Sequence, residues 1–426
     1  MLGEIIADLS NWMYTYLLVI LLVAAGLFFT IRNRFPQLRL LREAIRVVVE
    51  RPEKEGSVSS FQALMVSTAS RVGTGNIIGV GVAIAAGGPG AIFWCWLTGV
   101  LGMATRYSEG LLAIKYRVEN KDGNMSGGPM FVLERGMKCK WLGVAFAVFT
   151  AIAAFGIGNL TQGNAAAEQL HHAFAIPSWG TAAVLTILTA LVMLGGIRSI
   201  AKACAFFVPF MAVIYIIGCV YILAVQSHYI LPAIRYILDC AFTGEAAAGG
   251  VVGAAVMTAM RTGVARGLFS NEAGLGSAAI ASAAAQNRNP VRQALISSSG
   301  PFWDTVVICA LTGIVLTTSI LAHPDISSSD GPRLTTLAFS KIPYVGSPLL
   351  TVSLVTFVVS TILGWSYFGE KALEYLGGIR LITPYRVIWV AAVFTGCVSK
   401  IDLVWVFADC ANGLMALPNL ISLLAL

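Results

Sequence analysis

Apolar runs of about 20 residues recur along the whole chain, each long enough to cross a hydrocarbon layer about 30 Å thick. Inside lipid the backbone has no water to bond, so runs of that length satisfy their own N–H and C=O groups as helices. Only 12% of the 426 residues are charged, while 57% are hydrophobic; a soluble domain carries about 25% charged residues. So few charges cannot cover a water-facing surface, and the expected fold class is an all-α polytopic membrane protein. About 11 transmembrane helices fit, over 12–31, 61–86, 90–114, 141–168, 180–197, 203–225, 257–286, 293–320, 347–370, 382–398 and 403–424.

Between the spans, segment 38–50 sets apolar residues at helical spacing with basic ones between, as an interfacial helix does. The connections 226–256 and 321–346 are longer and carry Pro, Asp and Ser. Residues 12–31 have no basic flank ahead and no small-residue cleavage site behind, which predicts a retained helix rather than a removed signal. Of the 28 Lys and Arg, 20 lie in alternate connections, 4 in the others, and Arg71, Arg106, Arg261 and Arg266 within spans or at their ends. The positive-inside rule then puts the N-terminus outside and the C-terminus in the cytoplasm, in the cytoplasmic (inner) membrane. The net charge of +7 forms no single patch, so no nucleic-acid partner is expected; membrane lipid is, and no obligate protein partner. Cysteines fall mostly inside apolar runs (Cys95, Cys204, Cys219, Cys309, Cys397) and form no CxxC pair, which argues against zinc and against a disulfide framework. The four histidines (171, 172, 228 and 323) have no metal-ligand spacing and are expected at the surface.

Two spans are interrupted. The second contains Arg71-Val72-Gly73-Thr74-Gly75-Asn76 and the seventh Phe269-Ser270-Asn271-Glu272-Ala273-Gly274. Each glycine costs a helix about 1 kcal/mol relative to alanine, and a cluster beside polar residues can leave the backbone unwound. Irregular backbone at that depth survives only where protein or a water-filled cavity meets it. Five spans separate the interruptions, so the two halves would be inverted copies. Interrupted helices at matching positions of two halves are the best sequence pointer to a transporter site. The chain is therefore divided into residues 1–58 (a transmembrane helix and a cytoplasmic interfacial helix), 59–225 (first inverted repeat) and 226–426 (an outer loop and the second repeat).

The strings VGTGNI, GGPGAIFW, MSGGPMFVLERG, FGIGNLTQGN and GLFSNEAGLGSA closely resemble the alanine or glycine:cation symporters. That family is sodium-coupled and has the five-plus-five inverted-repeat fold of the leucine transporter group. The resemblance implies symport of alanine or glycine with Na+ as coupling ion and no further cofactor. It also implies roles residue by residue. Val72 to Asn76 would be the unwound stretch whose N–H groups hold the substrate carboxylate, with Gly73, Thr74, Gly75 and Asn76 lining the site. Phe269, Ser270 and Asn271 would belong to the second broken helix. Ser360 and Thr361 would bind sodium with carbonyls of Ala69, Val72 and Phe357, and Trp365 would close the pocket. The chain departs from the fold group at Arg71, where a small residue is usual. Arg71 is expected to turn away toward Glu272 or Asp304, or else the unwound stretch is aligned imperfectly.

The residue types suit that chemistry. A carboxylate is stabilised at a half-helix N-terminus by unpaired N–H groups and the helix dipole. Sodium, like other hard cations, takes carbonyl and hydroxyl oxygens. The plainer alternative is that Gly75-x-x-x-Gly79 is a small-residue packing motif. Gln162 lines the site or bridges helices, as does Asn164. Glu272 and Asp304 are intramembrane acids, either functional or structural counter-ions to Arg71, Arg261 or Arg266. Gly73 to Gly79 is no dinucleotide fingerprint, since Ile78 stands where the third glycine belongs and no strand precedes it. The chain is not expected to be an enzyme, because no nucleophile–base set stands out. Two alternatives remain: a sodium-coupled carrier of another small solute such as a nucleobase, and an intramembrane enzyme using Glu272 and Asp304.

Overall fold

Helices form wherever the chain offers an apolar run, and stop where a cap or a cluster of glycines intervenes. The computed structural model describes residues 6, 8, 9, 12–50, 56–120, 123–243, 252–399 and 402–426. A π-helical turn leads into α1 (Val19–Arg32), followed by the amphipathic α2 (Leu41–Val49). The first interrupted span is α3 (Ser60–Ala69) with α4 (Thr74–Gly87), bent by 42° at the break. Then come α5 (Gly90–Lys115), α6 (Lys140–Phe174), α7 (Ser178–Leu194), α8 (Gly196–Val225) and α9 (Ile230–Phe242). The second half holds α10 (Val252–Asn271), α11 (Ser277–Ala283), α12 (Pro290–Ala322), α13 (Gly346–Gly377), α14 (Ile382–Val398) and α15 (Asp402–Ala425).

Local chemistry explains the helix starts. Ser59 and Gln62 form a reciprocal capping box at α3, with bonds of 3.2 and 3.1 Å. At α12 the Asn289 side chain accepts from the N–H of Val291 and Arg292, and Pro290 occupies the first turn. Both α6 and α12 carry a π-helical stretch, at Gly156–Leu160 and Phe302–Cys309. Such stretches are frequent at functional sites, and both of these border the interruptions described below.

Helices of the two halves interleave. α5 packs on α10 and α12, α8 on α13, α7 on α14, and α6 on α13 and α15. Polarity is reversed relative to a soluble protein. Leu191, Ile217 and Val387 face outward, while Arg71, Arg106, Glu109, Glu272 and Asp304 are buried inside. An apolar belt around a charged interior belongs in lipid, and the chain is a multi-pass membrane protein.

Among the described residues, five helices are long and apolar enough to cross alone (α6, α8, α12, α13, and Ile379–Val398), and the bent α3–α4 pair makes a sixth. α1, α7 and the Cys410–Ala425 part of α15 are apolar but shorter. The expected span 257–286 is two helices, because the chain leaves α10 after Asn271 and re-enters a helix only at Ser277. The described part of the connection 226–256 contains α9, where a loop was expected; residues 244–251 lie outside the described residues, as do Lys400 and the chain's first five residues. The signal for α9 was present: Ala233, Ile237, Cys240 and Ala241 fall on one helical face and bury against α5 and α12. Gly90 permits this, since a Cβ there would stand 2.5 Å from the Cys240 backbone.

Candidate functional site at the two broken helices

The interruptions meet. Between Ala69 and Thr74 the chain leaves helical geometry, and the Gly73 N–H is taken by Asn76 Oδ1 at 3.0 Å. The N–H groups of Thr74 and Gly75, which open α4, have no main-chain acceptor. Asn76 holds the break to the second half: its Nδ2 donates to Asp304 Oδ1 at 2.6 Å and to Ser270 Oγ at 2.9 Å. Ser270 donates in turn to Asp304 Oδ2 at 3.0 Å, and Thr305 to the same oxygen at 2.8 Å.

The second break is braced by charge. Glu272, Gly274 and Gly276 all have positive φ, at 50°, 95° and 86°; two of the three positions are glycines, which adopt that region without strain. The Asn271 carbonyl receives Arg106 at 3.1 Å and Arg71 at 3.4 Å. Glu109 Oε1 accepts from the Gly274 N–H and from Asn419 Nδ2, both at 2.9 Å, while Glu109 Oε2 pairs with Arg106 at 2.9 Å. Asn419 also donates to the Gly274 carbonyl at 2.8 Å, and Glu272 accepts from Ser277 at 2.5 Å. The freed polar groups are thus bonded within the protein, which is what lets unwound backbone persist at depth.

The direct partners of the charged residues differ from those expected. Arg71 lies within electrostatic reach of Asp304 and Glu272, as expected, but pairs directly with neither; it bonds the carbonyl and hydroxyl of Ser67 and the Asn271 carbonyl. Gly300 makes room for it, since a Cβ there would lie 2.6 Å from its guanidinium. Glu272 is held by Ser277 and Asp304 by Asn76, Ser270 and Thr305, rather than by Arg261 or Arg266. The bracing pair Arg106–Glu109 and Asn419 were missed by sequence reasoning. The i, i+3 spacing of an Arg and a Glu within one apolar run was the available signal.

On α13, Thr361 Oγ1 lies 3.0 Å from the Ala69 carbonyl and 2.9 Å from the Phe357 carbonyl. Those three oxygens come together where α3 ends, and they suit a hard cation. Ser360 bonds the Phe357 carbonyl at 2.8 Å, but its other neighbour is the Met211 sulfur at 3.4 Å, a poor partner for sodium. Val72 is fully buried beside the break. Trp365 stands behind the pocket: its Nε1 donates to the Ser70 carbonyl at 3.0 Å, and its side chain fills the space left open by Gly158.

A cavity of about 20 Å³ lies between the breaks, lined by Gly73, Thr74, Gly75, Gln162, Phe269 and Thr361 among the expected residues, and by Ser70, Arg71, Ile157, Glu272 and Asn412 besides. Asn76, Ser270, Asn271, Ser360 and Trp365 do not line it, but Asn76 bonds the Gly73 N–H and Trp365 the Ser70 carbonyl of the residues that do. Gln162 Oε1 is buried there without a hydrogen-bond partner. Above the cavity opens a vestibule of about 890 Å³ that shares Thr74, Gly75 and Phe269 with it. Of the three shared residues Phe269 has the largest side chain and forms the partition's bulk, with its ring 3.3 Å from where a Cβ on Gly75 would stand. The packing alternative fails at Gly79, which faces the vestibule and has no neighbouring helix within 4 Å of its Cβ position.

Residues 1–426 match the sequence model of the Sodium:alanine symporter family over their whole length. The chain is 46% identical over 99% of its length to the sodium/alanine symporter AgcS of Methanococcus maripaludis, covering 94% of that protein. It is 37% identical over its full length to the probable sodium/glutamine symporter GlnT of Bacillus subtilis, covering 88% of it. Among solved structures it shares the fold of MhsT, crystallised with L-phenylalanine, at TM-score 0.59 and 14% identity, over 85% of this chain and 89% of that one.

Proposed function

Since the chain belongs to the sodium:alanine symporter family, and is a sodium-coupled amino-acid transporter rather than an enzyme, we propose that it imports alanine or glycine by alternating access. One observation carries the choice of substrate: the cavity between the breaks measures about 20 Å³. A single water needs about 10–15 Å³, so any substrate must enlarge this space, and each added carbon must displace more packed side chain. The smallest amino acids require the least.

In this reading the substrate carboxylate sits on the free N–H groups of Thr74 and Gly75, where the α4 dipole favours it. The ammonium meets the unpaired Gln162 Oε1 and the negative side of the cavity at Glu272. Sodium is held by Thr361 Oγ1 with the carbonyls of Ala69 and Phe357, so its binding draws α13 onto the end of α3. Trp365 bonded to the Ser70 carbonyl fixes that same end, and acts as a positioning residue.

The vestibule would face outside, in line with the basic-residue count, and the opposite mouth is shut. There Ser57 and Val58 pair with Ala284 through main-chain bonds of 2.9 and 3.2 Å, and Gln286 donates to Val58 at 2.7 Å. Arg386 grips Glu370 with bonds of 2.7 and 3.0 Å. Transport then alternates between opening at Phe269 and opening at these contacts, with the five-plus-five repeat and its leading helix as the moving frame.

The test is uptake of labelled alanine, glycine and glutamine into proteoliposomes under an inward sodium gradient. Sodium-driven uptake of alanine or glycine is expected, with glutamine a weak competitor. Uptake of glutamine alone, or of none of the three, overturns the proposal.

A further inference from the structure

Arg266 lies within α10, one turn before Phe269, and lines the vestibule wall just above that ring. It is half-buried and has no hydrogen bond or ion pair with any described residue. A charged side chain that faces a cavity from within a membrane-spanning helix marks a pathway or a ligand by default. On another wall, α6 presents Asn164, Glu168 and His172 at four-residue spacing, which places them on one helical face, all lining the same vestibule. Glu168 and His172 approach to 3.8 Å. The other cation of the lining, Arg333, lies in an exposed turn at the rim. The vestibule thus offers a fixed positive group beside the partition and a negative group across it, in a volume far larger than the cavity below.

We propose that Arg266 and Glu168 form an outer station for a zwitterionic α-amino acid, with the carboxylate on Arg266 and the ammonium on Glu168, above Phe269. The station rests on the reading of the chain as an amino-acid importer and adds a second binding step to it. A molecule held there is already oriented with its carboxylate toward α10, one helical turn from Phe269. Free chloride could satisfy the same guanidinium, so the experiment separates the two sources.

The experiment measures initial rates of sodium-driven alanine uptake in proteoliposomes for the wild type, Arg266→Gln, Arg266→Lys and Glu168→Gln, each in chloride and in gluconate buffer, with Tm recorded for each. Loss of one charge-assisted hydrogen bond should raise KM for alanine by about tenfold in Arg266→Gln. The expected pattern is unchanged kcat and Tm, a smaller KM rise in Arg266→Lys and Glu168→Gln, and no dependence on chloride. A merely structural role would instead lower Tm or kcat, and Arg266→Lys would not recover KM. Wild-type KM in Arg266→Gln, or wild-type uptake that falls in gluconate and becomes chloride-insensitive in Arg266→Gln, overturns the station. Absence of alanine uptake by the wild type is a different result, and refutes the transport reading instead.

Discussion

Thr361 Oγ1 lies 3.0 Å from the Ala69 carbonyl across 292 positions of sequence, and this contact joins the helix that carries the hydroxyl to the end of the first half-helix. Coupling between ion and substrate needs such a bridge, because the same break supplies a carbonyl on one side and the substrate-facing N–H groups of Thr74 and Gly75 on the other.

Thr361→Val keeps the side chain's shape and removes the oxygen. The sodium concentration for half-maximal alanine uptake should rise by about tenfold or more, as the loss of even an outer-shell metal partner costs that much. Ser360→Ala should move it far less, since Met211 is the second neighbour of that hydroxyl. Sodium titrations of uptake distinguish the two: an unchanged sodium requirement in Thr361→Val would remove Thr361 from its assigned role, and an equal large shift in Ser360→Ala would make Ser360 a ligand as well.

Gly75 and Gly79 should respond differently from residues of a packing motif. Gly79→Ala places a Cβ 4.0 Å from the Thr74 carbonyl, an ordinary contact, and should leave Tm and alanine affinity nearly unchanged. Gly75→Val crowds the Phe269 ring, 3.3 Å from the new Cβ, and covers the N–H groups that open α4. A folded protein that no longer binds alanine is expected, read by thermal melting alongside equilibrium binding of labelled alanine. Wild-type affinity in folded Gly75→Val would refute the placement of the carboxylate.

Phe269→Ala joins the vestibule to the inner cavity. Competition of alanine uptake by leucine, methionine and glutamine should strengthen relative to wild type. An unchanged competition profile would mean that Phe269 does not set substrate size.

Glu109→Ala strands the buried Arg106 guanidinium and releases the Gly274 N–H. Breaking such a pair costs about 3–5 kcal/mol, so a large fall in Tm is expected in a detergent melting series. Replacing both partners together, as Arg106→Met with Glu109→Leu, should recover part of that stability but not transport, because the Asn271 and Gly274 groups stay unbraced. If both single and double variants melt as wild type, the brace has no energetic role.

Orientation has a natural probe. Cys139 is partly exposed and the other seven cysteines are buried. A membrane-impermeant thiol reagent should label Cys139 only after the cytoplasmic face is exposed. Ser328→Cys, introduced with Cys139→Ser, should be labelled in intact cells. The reverse pattern would invert the assignment made from lysine and arginine.

Much was decided locally. The apolar runs, 57% hydrophobic residues and the two glycine-rich interruptions dictate a helical membrane protein with its irregular backbone at two points, because a lone backbone in lipid has no other way to satisfy its polar groups. Caps such as Ser59 with Gln62, and Asn289 with Pro290, place helix starts for the same near-neighbour reasons. The identity of the chain's family, too, was legible in contiguous strings. The partners of the charged residues were not. Arg71 has the acidic neighbours it suggested but bonds carbonyl and hydroxyl oxygens instead, while Arg106 and Glu109 close the second break from a helix that shows no interruption of its own. Nor could spacing show that Asn76 and Ser270 face Asp304 instead of substrate, or that Trp365 stands behind the pocket and Phe269 in front. Periodicity reports which face of a helix is buried; what that face meets depends on segments hundreds of residues away, and only the packing of both halves around one pair of breaks decided it.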